Sequence, residues 1–256
     1  MVSLKKILQS RKTTIGSWIT LGHHSIPEIM SRAGFDWLTV DMEHSAISIN
    51  EAQQIIQIVE LCGVFPLVRV GKNDPTLIKR VMDSGAHGVI VPMVNSKKDA
   101  ETAVNAVKYP PSGTRGVGLA RAQGYGAFFK KYVDWVERES VVVVQIEHIK
   151  AVENLRQILK VEGVDAFIVG PYDLSGSLGI PGNFTDVRMI EALDEIKKVS
   201  AEFEVSPGYH VVQPEPAQVK EKINEGYTFI AYGVDFLFLG ESCRKGLNQI
   251  RKDLQQ

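Results

Sequence analysis

The stretch from Val141 to Asp173 constrains the fold more than any other part of the chain. It opens with VVVVQIE, four consecutive valines followed by Gln145 and Glu147, and closes with VDAFIVGPYD, a second apolar run ending in Asp173. A β-branched run that is apolar on both faces fits a strand buried on both sides of a parallel sheet, and the strand stops where the carboxylate begins. Between the two runs, AVENLRQILKVEG carries Leu155, Ile158 and Leu159 at helical spacing, with Gly163 as a C-terminal stop. Strand, helix and strand form one right-handed βαβ unit, so both strands end on the same edge. Glu147 and Asp173 are therefore expected side by side on one rim, with Gln145 beside them. Oxygen ligands of this kind suit a hard divalent cation, Mg²⁺, Mn²⁺ or Co²⁺, that keeps positions open for substrate and water. The plainer alternative is that each carboxylate caps a helix or pairs with a surface arginine.

The same alternation runs through the whole chain. After a short amphipathic helix over 3–10, placed as a plug, IGSWITLG is the first strand and SIPEIMSRAG a helix with Ser25 and Glu28 spaced as a capping box. FDWLTVD, FPLVRV and GVIVPM are strands two to four, separated by helices that open at Ser48 and at Asp74-Pro75. SKKDAETAVNAVKY is helical, and PPSGTRGVGLARAQGYG is then a long irregular segment, of the kind that is functional or mobile in a compact domain. AFFKKYVDWVERES leads into strand five. A second glycine-rich loop, LSGSLGIPGNFTD, is expected after Asp173, then a helix over 186–202, strand SPGYHVVQ, helix PEPAQVKEKINEG, strand YTFIAYGVD and a terminal helix opening with FLFL. Eight strand–helix alternations in 256 residues predict an α/β fold, a single (β/α)₈ TIM barrel over residues 1–256, whose active site lies at the C-terminal rim of the strands.

Composition narrows the partners. A formal net charge of -1 gives no electrostatic case for nucleic acid or a membrane surface. Cys62 and Cys243 are far apart in helical patterns and read as reduced packing residues of a cytoplasmic protein. The N-terminus lacks a sustained apolar segment, and no apolar run is long enough to span a bilayer.

At the strand ends lie Asp41, Glu43 and His44, then Arg69, Gln145 and Glu147, Asp173 and His210. His44 is the proton-transfer candidate, because imidazole titrates near neutrality and Asp41 three residues earlier is placed to orient it; the alternative is a satisfied loop histidine. Arg69 after the apolar FPLV points into the barrel mouth and needs an anionic partner, either a neighbouring carboxylate or a substrate carboxylate or enolate. No strand core contains lysine, so Schiff-base chemistry is not supported, and Lys72 and Lys150 read as solvated. His23 and His24 follow strand one, His87 sits at the opposite end, and His148 points away from Glu147 by strand alternation. The SGTRGVG loop lacks the lysine and spacing of a P-loop.

Taken together, GFDWLTVDMEH, PLVRV, IKRVMDSGAHGVIVPMV, YPPSGTRGVG, VQIEHIKAVENL, VEGVDAFIVGPYDLSGSLG and YGVD resemble the HpcH/HpaI aldolases, metal-dependent class II pyruvate aldolases of the phosphoenolpyruvate/pyruvate barrel superfamily. The resemblance runs from about residue 14 to the last helix. It implies that Glu147 and Asp173 hold the metal, that Gln145 lies beside it, and that backbone amides near Gly170 and Tyr172 hold the pyruvate carboxylate. It further implies that Arg69 stabilises the enolate, that His44 with Asp41 moves protons, and that Arg121 meets the aldehyde. Asp83 would reach a neighbouring subunit's site, and the last helix would swap onto an adjacent barrel in a homo-hexamer, a trimer of dimers. Met42, Tyr172, His210 and the loop around Leu119 depart from the usual pattern, all on the side of the aldehyde pocket.

The expected reaction is reversible cleavage of a 4-hydroxy-2-oxoacid into pyruvate and an aldehyde through a metal-stabilised enolate. Two alternatives stay open: a lyase acting on a CoA thioester of the citryl or malyl type, for which no dense cationic cluster appears in a rim loop, and a metal-binding barrel without catalysis.

Overall fold

Alternation along the strands decides what faces inward. A computed structural model describes residues 2–254. Its eight parallel strands, β1 (Thr14–Ile19), β2 (Trp37–Asp41), β3 (Phe65–Arg69), β4 (Gly88–Val91), β5 (Val141–Ile146), β6 (Ala166–Val169), β7 (Ser206–Val211) and β8 (Phe229–Val234), close into a barrel in sequence order. On β5, Val141 and Val143 join the interior cluster with Trp18, Leu67 and Phe229, while Val142, Val144 and Ile146 pack outward under the helices. A run apolar on both faces is what a strand between a filled interior and a helical coat requires. The same parity, carried toward the C-terminal ends, turns Asp41, Arg69, Gln145, Glu147 and His210 into the mouth.

The coat consists of α1 (Leu4–Gln9), α2 (Ser25–Arg32), α3 (Ile49–Leu61), α4 (Pro75–Asp83), α5 (Lys97–Val107), α6 (Phe129–Glu139), α7 (Ile149–Glu153), α8 (Leu155–Leu159), α9 (Pro171–Ser177), α10 (Val187–Ser200), α11 (Pro216–Asn224) and α12 (Asp235–Asp253). α1 does plug the barrel base: Leu4 and Leu8 belong to the interior cluster, and Ser206 Oγ donates to Leu8 O. α3 opens with the Ser48/Glu51 capping box and α4 with Asp74 as N-cap and Pro75 behind it. Gly16 leaves room for Trp37, since a Cβ there would lie 2.0 Å from the indole.

Three expectations are corrected. The single helix between β5 and β6 is two short ones, because Asn154 leaves helical geometry and donates from Nδ2 to Asn95 O across the rim. The glycine-rich stretch after Asp173 is helical over its first part: β6 ends at Val169, Gly170 is the N-cap and Pro171 fixes the first turn of α9. Cys62 and Cys243 are exposed and unpaired rather than packed.

Candidate active site

Asp41 and Arg69 are register partners on β2 and β3, and their side chains lie on the inward face. Arg69 Nε donates to Asp41 Oδ1 at 2.9 Å and Nη2 to Oδ2 at 2.5 Å, a two-pronged pair buried at the rim. Asp41 Oδ1 also accepts the backbone N–H groups of Glu43 and His44. Burial pushes the Asp41 carboxyl up, but the Arg69 bonds and these two amides outweigh it and hold it below the usual carboxylate range. Glu43 Oε2 lies 3.4 Å from Arg69 Nε, without hydrogen-bond geometry. The anionic partner of Arg69 within the chain is thus a pair of carboxylates. Above it, the guanidinium carbon sits 4.4 Å from the centre of the Trp18 ring.

This arrangement corrects the expected His44–Asp41 dyad. Both Asp41 oxygens are committed to Arg69, and His44 offers Asp41 only its backbone N–H. The imidazole is largely exposed, and its Nε2 is 3.9 Å from Glu43 Oε2.

Across the mouth, Glu147 is buried just past the end of β5. Its Oε1 accepts the N–H of Met93 at 2.6 Å, and its Oε2 is bonded by Gln145 Nε2. Met93 can offer that N–H because its backbone is left-handed, φ 53°, an uncommon state for a residue with a side chain. Asp173 is in the first turn of α9, exposed to the mouth, not at a strand end as the sequence implied. Burial pushes Glu147 up to about 7, against the pull of the Met93 amide and with the charges of Glu43 and Asp173 adding to the rise. Glu43 is raised for the same reasons, burial first, in spite of Arg69. Gly170 stands against this cluster, where a Cβ would come 3.1 Å from Glu147 Cβ. Its own N–H is bonded to Ile146 O and so is not free for a ligand; of the first turn of α9, Tyr172 and Asp173 carry the N–H groups without helical partners.

Three carboxylates facing one another without a matching cation are what a metal would relieve. Glu43 Oε2 and Gln145 Oε1 are buried with no hydrogen-bond partner. Among the described residues no group of three or more His, Cys, Asp or Glu side chains is placed to hold a metal ion by itself. Two carboxylates with open positions and an acceptor oxygen nearby fit a hard divalent ion that also takes substrate.

The remaining candidates lie elsewhere. His210 is half-buried on β7, its ring centre 5.2 Å from that of Trp18. Tyr172 turns its ring against Phe184 at the rim. Arg121 does not reach the mouth of its own barrel: it forms an ion pair with Glu60 and donates to Ser84 O, beside Gly85 and His87 at the N-terminal end of the strands. The reason is topological, since the 108–128 segment joins α5 to α6 at that end. Asp83 is likewise at that end, bonded by Arg115 Nη2 at 2.5 Å within the chain. His23 and His24 are exposed just before α2, and His148 caps α7 by accepting Lys150 N–H at Nδ1.

Glu43, Met93 and Trp18 are the residues that sequence reasoning left without a role. Glu43 was visible as a third acid in DMEH; nothing in the sequence marks Met93 as left-handed.

The model of the HpcH/HpaI aldolase/citrate lyase family matches residues 14–240. The chain belongs to this family. It is 37% identical over 236 residues to a 2-dehydro-3,6-dideoxy-6-sulfogluconate aldolase of Pseudomonas putida, covering 91% of each chain. It is 37% identical over 238 residues to a 4-hydroxy-2-oxovalerate aldolase of Rhodococcus jostii, covering 91% of this chain and 90% of that one. With a 4-hydroxy-2-oxo-heptane-1,7-dioate aldolase of Escherichia coli it shares 36% over 243 residues, 94% of this chain and 92% of the relative. An HpcH/HpaI aldolase/citrate lyase family protein from Burkholderia cenocepacia superposes with a TM-score of 0.92 at 29% identity, covering 97% of this chain and 98% of that one. An HpcH/HpaI aldolase from Desulfitobacterium hafniense gives 0.89 at 31%, covering 98% and 97%. Among the described residues of this HpcH/HpaI family member no helix is long and apolar enough to cross a membrane.

Proposed function

We propose that the chain is a divalent-metal-dependent aldolase that cleaves a 4-hydroxy-2-oxoacid to pyruvate and an aldehyde, and runs the reverse addition. The observation that carries this reading is the buried Glu147 carboxylate at the mouth, held by the Met93 amide and Gln145 and pushed up to about 7 by burial and by the charges of Glu43 and Asp173. The three aldolases that share more than a third of its residues over nine-tenths of its length support the reaction class.

Glu147 and Asp173 would hold the ion, Mg²⁺, Mn²⁺ or Co²⁺, with Gln145 orienting Glu147. When bound, such an ion supplies Lewis-acid charge at the 2-keto oxygen of the substrate. Arg69, fixed by Asp41 and Glu43 and backed by Trp18, stabilises negative charge developing on the same oxygen as the C3–C4 bond breaks. The electron pair of that bond moves onto the oxoacid fragment, the C4 hydroxyl gives up its proton, and C4 becomes the aldehyde carbon. His44, exposed at the mouth, takes that proton directly or through water and returns one to C3 to complete pyruvate. The N–H groups in the first turn of α9, at Tyr172 and Asp173, suit the substrate carboxylate.

We also infer self-association. Arg121 and Asp83 lie at the end of the barrel away from their own mouth, so a role for either in catalysis runs through a neighbouring copy. Beyond its first turn α12 is exposed almost throughout, as a helix that packs on another barrel would be. The hexamer and the swapped helix implied by resemblance belong to this inference.

The test is a coupled pyruvate-release assay over a panel of 4-hydroxy-2-oxoacids with each metal in turn. Release of pyruvate with at least one acid and one metal is expected. No release from any combination would leave a binding barrel without catalysis. Acetyl-CoA binding in place of pyruvate release would favour the CoA-thioester reading.

A further inference from the structure

The inward position on β7 carries an imidazole whose surroundings determine which hydrogen bond it offers. His210 pairs in register with Ala231 and follows the parity of Gly208, so its ring faces the barrel interior near the mouth. Nε2 lies 3.4 Å from the carbonyl oxygen of Gly233. A carbonyl only accepts, so Nε2 carries the proton. Burial, and after it the neighbouring Arg69 charge, push the imidazole down to about 3, so the ring is neutral at ordinary pH and Nδ1 presents a lone pair.

Two contacts fix the ring. The Gly233 bond holds one edge, and the Trp18 indole holds the face at 5.2 Å between centres, tilted by 44°. That same indole carries the Arg69 guanidinium. The His210 ring is therefore one aromatic ring away from the group assigned to the keto oxygen. Among the described residues no donor bonds to Nδ1, and the side chain is only partly buried.

We propose that Nδ1 of His210 accepts a hydrogen bond from a hydroxyl on the aldehyde portion of the substrate, which makes His210 a specificity-determining residue for 4,5-dihydroxy-2-oxoacids, the adducts of pyruvate with 2-hydroxyaldehydes. The proposal rests on the aldolase reading above. A terminal carboxylate or sulfonate has only acceptors to offer; it meets a lone pair at Nδ1 and finds Arg69 already engaged by Asp41 and Glu43. A plain alkyl aldehyde leaves Nδ1 without a donor once the adduct excludes water. Sites built around a substrate hydroxyl discriminate strongly against the analogue that lacks it.

The experiment compares two adducts that differ only at C5, 4,5-dihydroxy-2-oxopentanoate and 4-hydroxy-2-oxopentanoate, by pyruvate release from metal-loaded protein. Wild-type kcat/KM is expected to be at least tenfold higher for the dihydroxy acid. In His210→Leu that ratio falls to near one, and in His210→Gln, whose amide oxygen accepts, most of it returns. The wild-type comparison and His210→Gln carry the test if the leucine variant fails to fold. Equal wild-type turnover of both adducts, or a ratio that His210→Leu leaves intact, overturns the role of His210 while the aldolase reading stands. Turnover of neither adduct, nor of any other 4-hydroxy-2-oxoacid, overturns both.

Discussion

Arg69 and Glu147 line the same mouth with opposite problems. Arg69 has more negative partners than it can neutralise; Glu147 has a backbone amide and an amide side chain but no cation. If Arg69 acts on charge that appears only as the C3–C4 bond breaks, Arg69→Ala should lower kcat by about 10²- to 10³-fold with little change in KM, the size seen when one donor to a developing oxyanion is removed. An effect confined to KM in steady-state pyruvate release would assign Arg69 to ground-state binding. Glu147 makes a second prediction through its pKa. Its folded value of about 7 lies above the ordinary 4.5, so the folded state favours the protonated form. The resulting loss of stability is absent below about pH 4.5, grows as pH rises, and is complete above 7, reaching roughly 3 kcal/mol at 1.36 kcal/mol per unit. Melting of metal-free protein should therefore fall between pH 5 and 8, and Glu147→Gln should flatten that slope; an equal slope in the variant would place the titrating group elsewhere. The inward parity of Gln145, Glu147 and Arg69 was legible in the sequence because strand alternation is local. The partner of Asp41 was not: its proximity to His44 along the chain suggested a dyad, whereas the parallel register puts Arg69, 28 residues away, directly opposite.

The elements show the same division. Helices with local start signals, such as α3 and α4, begin where Ser48 and Asp74 place them. The segment from 108 to 128 carries no periodic pattern, and its length suggested a functional or mobile loop. Instead Arg115 pins it: the guanidinium is buried, bonded to Asp83 and to the Tyr132 hydroxyl, and lies 4.7 Å from the centre of the Tyr109 ring. No local signal separates an arginine that binds a ligand from one that turns inward to a carboxylate on another helix. Breaking such a buried pair from one side strands the other charge, so Arg115→Ala should destabilise the fold by about 3 kcal/mol or more. Urea unfolding would check this; a change below about 0.5 kcal/mol, the size of an ordinary surface substitution, would mean the segment is held by other contacts.

At the scale of the molecule, eight strand–helix repeats were enough to infer a closed barrel, and the strands pair in that order. What one chain cannot display is its surroundings. α12 leaves Phe236, Leu239, Leu247 and Ile250 exposed, and its C-cap Leu254 with them, more apolar side chains than an isolated surface helix usually shows. Light scattering should give a mass that is a multiple of 28.3 kDa, and Leu247→Asp with Ile250→Asp should reduce it; a wild-type monomer at micromolar concentration would contradict assembly through this helix. The central claim concerns the acidic cluster itself, and one measurement tests it most directly: pyruvate release from a 4-hydroxy-2-oxoacid by chelator-stripped protein, with divalent ions added back, for wild type and Glu147→Gln. The predicted result is activity lost on stripping, restored by the ion in wild type and not restored in the variant. Full activity in stripped wild type, or equal restoration in the variant, would contradict it.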